Sequence, residues 1–265
     1  MMSGFIRRAD SFRLALSFLT VLPVGMASPS RELAPARAYF PLVGLLLGGA
    51  LAALDLGLRQ AFPPAVVGAL VLAAAVVATR AIHVEGFVDS CDGLLGGATR
   101  ERRLEILRDP RVGAFGVVGG VVLLLVQFTA LAELPGRVRI ETLLLFPALS
   151  RWAVLVAMEA FPYARREGMG TGFQAGRTRR QMAAGFAVAL AASLGLAGVA
   201  GVVLLAIASF VALALGRWMA RMLGGLTGDS YGAINELAAV AVLLAAIVLG
   251  NEASSLYGAP FYSGG

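Results

Sequence analysis

Long apolar runs alternate with short polar ones along this chain. The apolar stretches cover 39–57, 62–80, 113–133, 141–161, 182–199, 200–216 and 233–250. Each comes close to the ~20 residues that a helix needs to cross the hydrocarbon of a bilayer. None alternates apolar and polar positions as the strand of a membrane barrel does. In lipid the backbone has to satisfy its own N–H and C=O groups, so such runs read as helices. The pattern predicts an all-α fold, a polytopic transmembrane helix bundle of about seven spans. No clear polar turn divides 186–216. One tilted helix there would make the count six. The whole of 1–265 reads as a single membrane domain: an N-terminal cytoplasmic or interfacial segment (1–38), the bundle (39–250) and a tail (251–265).

Composition supports the same reading. The chain is 58% hydrophobic and 14% charged, with a mean hydropathy of +0.82. Average soluble domains carry about 25% charged residues, and no soluble domain of useful size is left over. All 22 basic residues are Arg and the net charge is +6. That charge does not point to nucleic acid, because the arginines sit in short loops between apolar runs. There they set topology and meet anionic headgroups or phosphorylated substrates.

With the N-terminus in the cytoplasm, the inside segments hold five Arg before the first span, six over 80–112, five over 162–181 and two over 217–232. These eighteen stand against three outside, Arg59, Arg137 and Arg139, with Arg151 inside a span. The asymmetry supports a cytoplasmic N-terminus, an odd number of spans and an external C-terminus. A lone cysteine, Cys91, excludes an intrachain disulfide and a Cys-based metal site. Arg7, Arg8 and Arg13 followed by apolar Leu14 to Val24 resemble a signal peptide. The same flank reads equally well as a retained interfacial helix.

The candidate chemistry lies at the span ends. In His83-Val84-Glu85-Gly86-Phe87-Val88-Asp89-Ser90-Cys91-Asp92-Gly93, the carboxylates of Glu85, Asp89 and Asp92 are spaced four and three apart. On a helix all three share one face. Like charges near a membrane are costly unless something neutralises them. Mg²⁺ does so, taking carboxylate oxygens together with substrate phosphates. A solvated acidic face at a helix end is the plainer alternative. His83, the only histidine, points away from Glu85 on a helix; it is a candidate base, or simply a polar residue at headgroup level.

Further on, Gly96-Gly97 leads into a short amphipathic stretch, 100–111. Its Arg108, Asp109 and Arg111 flank Gly113-Ala114-Phe115-Gly116, where a span begins. Arginine forks match phosphate oxygens, so Arg108 and Arg111 are candidate substrate ligands. Arg100, Arg102 and Arg103 are read as topology signals.

A third cluster is Gly224-Gly225-Leu226-Thr227-Gly228-Asp229-Ser230, with Glu236 inside the last apolar run. Thr227, Ser230 and the glycines can present donors to a phosphate at a helix start. Asp229 and Glu236, two turns apart, join the metal candidates. The topology places this cluster on the same side as Asp89. The Asp89 and Asp229 carboxylates are therefore expected to face one polar cavity, within roughly 10–12 Å, a span that metal ions with water and phosphate can bridge. The cytoplasmic loop Arg165-Arg166-Glu167-Gly168-Met169-Gly170-Thr171-Gly172-Phe173 could close over a substrate, with Arg166 as its candidate contact.

Together these stretches resemble the cobalamin synthase family, the adenosylcobinamide-GDP ribazoletransferases. The resemblance runs from Leu16-Ser17-Phe18-Leu19-Thr20-Val21-Leu22-Pro23-Val24 through Phe40-Pro41-Leu42-Val43-Gly44, the acidic motif and Leu104-Glu105-Ile106-Leu107-Arg108-Asp109. It ends at Gly224-to-Asp229 with Glu236. Two departures show: Glu85 stands where the family more often has Asp, and Pro110 where it usually has Ser.

The resemblance implies a multi-pass enzyme of the cell inner membrane that needs Mg²⁺ and has its site on the cytoplasmic side. It implies that a ribose hydroxyl of α-ribazole, or of its 5′-phosphate, attacks the cobinamide-side phosphorus of adenosylcobinamide-GDP and expels GMP. On that reading Glu85, Asp89, Asp92, Asp229 and Glu236 serve the metal, and His83, Asp92 and Asp229 the chemistry. Arg108, Arg111, Thr227, Ser230 and Arg166 serve the substrate. Expected partners are the nucleotide-activated corrinoid, α-ribazole and membrane lipid, with a homo-oligomer or contacts to other late enzymes of the pathway left open.

Other readings compete. A CDP-alcohol phosphotransferase would continue Asp92-Gly93 with a pattern that Leu94-Leu95-Gly96-Gly97 breaks. A polyprenyl transferase would carry two Asp-rich motifs of its own type. A cation-coupled transporter would place its acids at mid-span.

Overall fold

The computed structural model describes residues 2–24, 33–165, 172–173 and 176–257. The order is α1 (Met2–Leu19), a 3₁₀ turn (Ala34–Tyr39) running into α2 (Phe40–Leu58), α3 (Pro64–Ala78), α4 (Ile82–Gly96) and α5 (Arg100–Ile106). Then follow α6 (Ala114–Ala132), α7 (Gly136–Ala160), α8 (Arg179–Leu223) and α9 (Gly228–Glu252). Among the described residues no sheet forms. Prolines stand in the first turns of α2 and α3, where the missing N–H costs nothing.

Five of these helices are long and apolar enough to cross a bilayer, or six when α3 and α4, bent by 89° at their junction, count as one broken span. The elbow between α3 and α4 holds Arg80 and Ala81 at positive φ, 53° and 55°. Helix α8, at 45 residues, would be about 68 Å long if straight, more than twice the hydrocarbon thickness.

It is not straight. Gly198 has φ 56° and ψ −133°, a combination open only to glycine. A Cβ on Gly201 would stand 2.9 Å from Ser193 Cα, although eight residues of continuous helix span about 12 Å. The chain reverses there, so 179–197 and 199–223 are separate crossings. The division expected at 199/200 falls within two residues of this break.

Both ends of α8 therefore lie at the same end of the bundle. Its start is tied to α7's C-terminal end, where Gln181 Oε1 accepts from Arg37 Nε (3.1 Å) and Arg37 meets Glu159 (3.1 Å). Its finish is capped by Arg100, whose Nε donates to the Leu223 carbonyl (2.8 Å). Arg100 thus has a structural task.

Helix α7 is the centre of the bundle, buried along most of its length. Small residues let α2 press on it. A Cβ on Gly48 would come within 2.5 Å of the Leu144 carbonyl oxygen and 2.8 Å of Leu144 Cα. Polarity is inverted relative to a soluble protein. Phe210, Val77, Val118, Val248 and Leu125 are more than half exposed, whereas Asp55, Arg139, Arg151 and Glu236 are buried. An apolar exterior and a charged interior are what a multi-pass membrane protein requires.

At the end away from α5, Arg139 grips Asp55. Its Nη2 lies 2.6 Å from Oδ1, its Nε donates to both carboxylate oxygens at 3.0 Å, and its Nη1 donates to the Leu131 carbonyl at 2.8 Å. This group ties α2, α6 and α7 together.

Candidate active site

The sequence Gly224-Gly225-Leu226-Thr227-Gly228-Asp229 does one local job per residue. Gly224, at φ 76°, ends α8 in the left-handed conformation, the usual glycine stop. Gly225 lets a second segment pass, because a Cβ there would stand 2.8 Å from the Pro162 carbonyl oxygen and 2.9 Å from Ala164 N. Leu226 then bridges to that segment, its N–H donating to Pro162 O and its carbonyl accepting from Ala164 N, both at 2.8 Å. Thr227 caps α9 through a reciprocal box: Ser230 N–H donates to Thr227 Oγ1, and Thr227 N–H to Ser230 Oγ, each at 3.2 Å. Asp229 is placed in the first turn of α9, where the helix dipole favours an acid.

The register of that bridge delivers Arg165 to Asp229. Arg165 Nη2 lies 3.0 Å from Asp229 Oδ2 and donates to the Leu107 carbonyl at 3.1 Å. Thr227 Oγ1 donates to the same Oδ2 at 3.2 Å. Both bonds fall on one oxygen of Asp229, which leaves Oδ1 for another partner.

Helix α4 meets α9 almost backbone to backbone. A Cβ on Gly86 would stand 3.0 Å from the Asp229 carbonyl oxygen and 3.2 Å from Gly232 Cα. One on Gly232 would stand 2.9 Å from the His83 carbonyl oxygen. Glycines on both faces let two helices bearing acids come this close. As a result Asp89 feels the charges of Asp229, Glu85 and Asp92, with Arg165 as the opposing cation. Glu85 is exposed and Asp89 and Asp229 half-buried.

A model of the cobalamin-5-phosphate synthase family matches residues 11–247. The chain belongs to that family. Among its relatives, the adenosylcobinamide-GDP ribazoletransferase of Desulfitobacterium hafniense is 43% identical over 244 residues, covering 89% of this chain and 96% of the relative. The protein of the same name from Desulforamulus reducens is 35% identical over 92% of this chain and 98% of its own length. That from Pseudomonas putida is 41% identical over 88% and 96%. No solved structure matches the chain.

In this synthase-family chain the expected site residues divide. Glu85, Asp89 and Asp229 come together at one end of the bundle. Asp92 neighbours them, but both its oxygens are engaged: they accept from Gly113 N–H (2.7 Å) and Gly116 N–H (2.8 Å) at the start of α6. The positive end of α6 stabilises this carboxylate, so Asp92 caps α6. Asp92→Ala should lower stability by about 0.5–2 kcal/mol, as loss of a cap does. Thermal unfolding in detergent measures it.

Four further expected residues are buried. The hydroxyls of Thr227 and Ser230, at 0% and 1% exposure, lie 3.2 Å apart. His83 is buried at the start of α4, and the charge it feels is that of Arg151 in the bundle interior. Glu236 is also interior, bonded to Gln127 (2.6 Å) and Asn235 (3.0 Å).

Arg108 is exposed beside the site. Arg111 forms a two-pronged pair with Asp109, Nε to Oδ1 at 2.9 Å and Nη2 to Oδ2 at 2.7 Å. Those hydrogen bonds hold the Asp109 carboxyl down at about 2. Arg166 lies outside the described residues. Its neighbour Arg165 contacts Asp229.

Proposed function

We propose that this chain joins α-ribazole, or its 5′-phosphate, to adenosylcobinamide-GDP with release of GMP, and that it needs Mg²⁺ to do so. One observation carries the reading: in a chain of this family, the glycine contact between α4 and α9 brings Glu85 and Asp89 near Asp229, whose carboxylate Arg165 holds. The three acids carry more charge than Arg165 offsets, and that excess suits a hard divalent ion. Among the described residues no three His, Cys, Asp or Glu side chains converge tightly enough to enclose an ion. Mg²⁺ does not require that, since it takes one or two carboxylates and completes its shell with water and substrate phosphate. Glu85, Asp89 and Asp229 Oδ1 are the groups that would hold it. When bound, it supplies charge neutralisation at the pyrophosphate.

The chain's own residues do the rest. Arg165 fixes Asp229 and adds a guanidinium at the edge of the site. Arg108, exposed, and Arg111, which can exchange Asp109 for a stronger anion, are placed to take phosphate oxygens. Gly228 leaves its surroundings open, with nothing within 4 Å of where a Cβ would stand, so a substrate can approach the α9 start. Phosphoryl transfer of this kind depends on positioning and charge stabilisation more than on covalent help from the protein. The P–O bond to the ribose oxygen forms as the P–O bond to GMP breaks, and the hydroxyl proton passes to water.

We place the site end of the bundle in the cytoplasm and the chain in the cell inner membrane, on the arginine distribution. An impermeant thiol reagent should reach a cysteine introduced at position 100 only from the cytoplasmic side; reaction from outside would reverse the orientation. The activity itself is tested by incubating purified protein with adenosylcobinamide-GDP and α-ribazole. GMP should appear with Mg²⁺ and stop on chelation. Absence of GMP with both substrates and metal present would overturn the reading.

A further inference from the structure

The bundle interior holds a polar group that the site does not use. A cavity of about 30 Å³ is lined in part by Gln127 of α6, Arg151 of α7, and Asn235 and Glu236 of α9. All four are buried. Ionisable groups this deep in a membrane bundle are costly and are kept for a reason. The Glu236 carboxylate accepts from Gln127 Nε2 and Asn235 Nδ2. Arg151 is the cation whose charge it feels, yet no hydrogen bond joins the two among the described residues. Arg151 turns its Nη1 to the Ser150 hydroxyl (3.1 Å) and the Pro147 carbonyl (3.4 Å) instead. Two buried atoms of the cavity's lining residues then have no protein partner: Arg151 Nε, a donor, and Asn235 Oδ1, an acceptor. A buried polar atom without a partner costs free energy. A cavity of this size admits one or two waters, each needing roughly 10–15 Å³ and two to four polar partners.

We propose that this cavity is an internal water site that joins Arg151 to Asn235 and Glu236, and that the water-bridged pair fixes α9 against α7. The water accepts from Arg151 Nε and donates to Asn235 Oδ1 or to the Glu236 carboxylate. Glu236 thereby becomes a positioning residue: two turns along α9 stands Asp229, and the glycine contact with α4 tolerates little rotation of α9. This role rests on the reading of the α4–α9 site given above; the water site itself does not.

Two measurements separate them. In full-length protein in nanodiscs, brief X-ray hydroxyl-radical labelling oxidises side chains beside bound water even when they are buried. Phe146, which lines the cavity at 7% exposure, should be oxidised well above Phe40, buried elsewhere at 0%. Asn235→Leu should suppress that labelling. Equal labelling of Phe146 and Phe40 would overturn the water site, whatever the enzyme's activity. For the positioning role, Glu236→Gln leaves Arg151 without a counter-charge and should lower kcat by about tenfold or more, some 1.4 kcal/mol, with the Mg²⁺ requirement unchanged. Adding Arg151→Gln restores charge balance and should recover most of the loss. A double variant as inactive as Glu236→Gln alone, or a shifted Mg²⁺ requirement, would overturn the positioning role and make Glu236 a direct participant.

Discussion

Asp89→Asn and Asp229→Asn should each reduce GMP release by a hundredfold or more while the protein stays folded in detergent. Each substitution keeps the size of the side chain and removes one negative charge from the place where α4 meets α9. The loss of a charge that stabilises the transferring phosphoryl group is worth about 3 kcal/mol of barrier, and that is roughly a hundredfold in rate. Folding should tolerate both changes. Asp89 is half-buried among acids, so removing its charge relieves repulsion. Asp229→Asn retains an oxygen that can still accept from Arg165 and Thr227. The comparison with Asp92→Ala sharpens the test, because that residue belongs to the same acidic motif but caps α6. Near-full activity in both Asn variants at saturating Mg²⁺ would show that the acidic face is structural.

The second large effect lies at the other end of the bundle. Asp55→Leu should cost on the order of 3–5 kcal/mol of stability, the price of leaving a buried charge unpaired. Arg139, at 3% exposure, would keep its bond to the Leu131 carbonyl but lose the carboxylate it pairs with. Replacing both, as Asp55→Leu with Arg139→Met, should recover most of that loss, since two apolar side chains carry no desolvation penalty. Denaturation midpoints in one detergent compare the three proteins. A double variant no more stable than Asp55→Leu would mean that Arg139 acts through the carbonyls it binds and not through the ion pair.

Much of this was legible in the sequence, and what was not has identifiable causes. The apolar runs are set by composition, so the helices fall close to where hydropathy puts them. The break in α8 was expected near 199 only from run length. Its cause, the backbone of Gly198, leaves no composition signal because glycine is common throughout these spans.

The carboxylates on one face of α4 follow from spacing alone. Spacing cannot tell that Asp92 is drawn to the N–H groups of Gly113 and Gly116, which arrive from 21 and 24 residues away. Gly113-Ala114-Phe115-Gly116 was the signal for it: two glycines a turn apart at a helix start leave room for a carboxylate. Likewise Thr227 and Ser230 carry the spacing of a capping box, and that local job uses both hydroxyls. That Arg165 reaches Asp229 depends on a tertiary backbone pairing. Glu236 reads as interior from its apolar surroundings, but its partners Gln127 and Arg151 come from other helices and are invisible until the bundle is assembled.

The central claim is that Asp89 and Asp229, about 140 residues apart in sequence, serve one metal-and-phosphate site. Mn²⁺ binding, followed by electron paramagnetic resonance in the presence of adenosylcobinamide-GDP, tests it most directly. Wild-type protein should bind Mn²⁺ with the substrate, and Asp89→Asn and Asp229→Asn should each weaken that same binding. Full Mn²⁺ affinity in Asp229→Asn, with loss confined to Asp89→Asn, would contradict a site shared between the two helices.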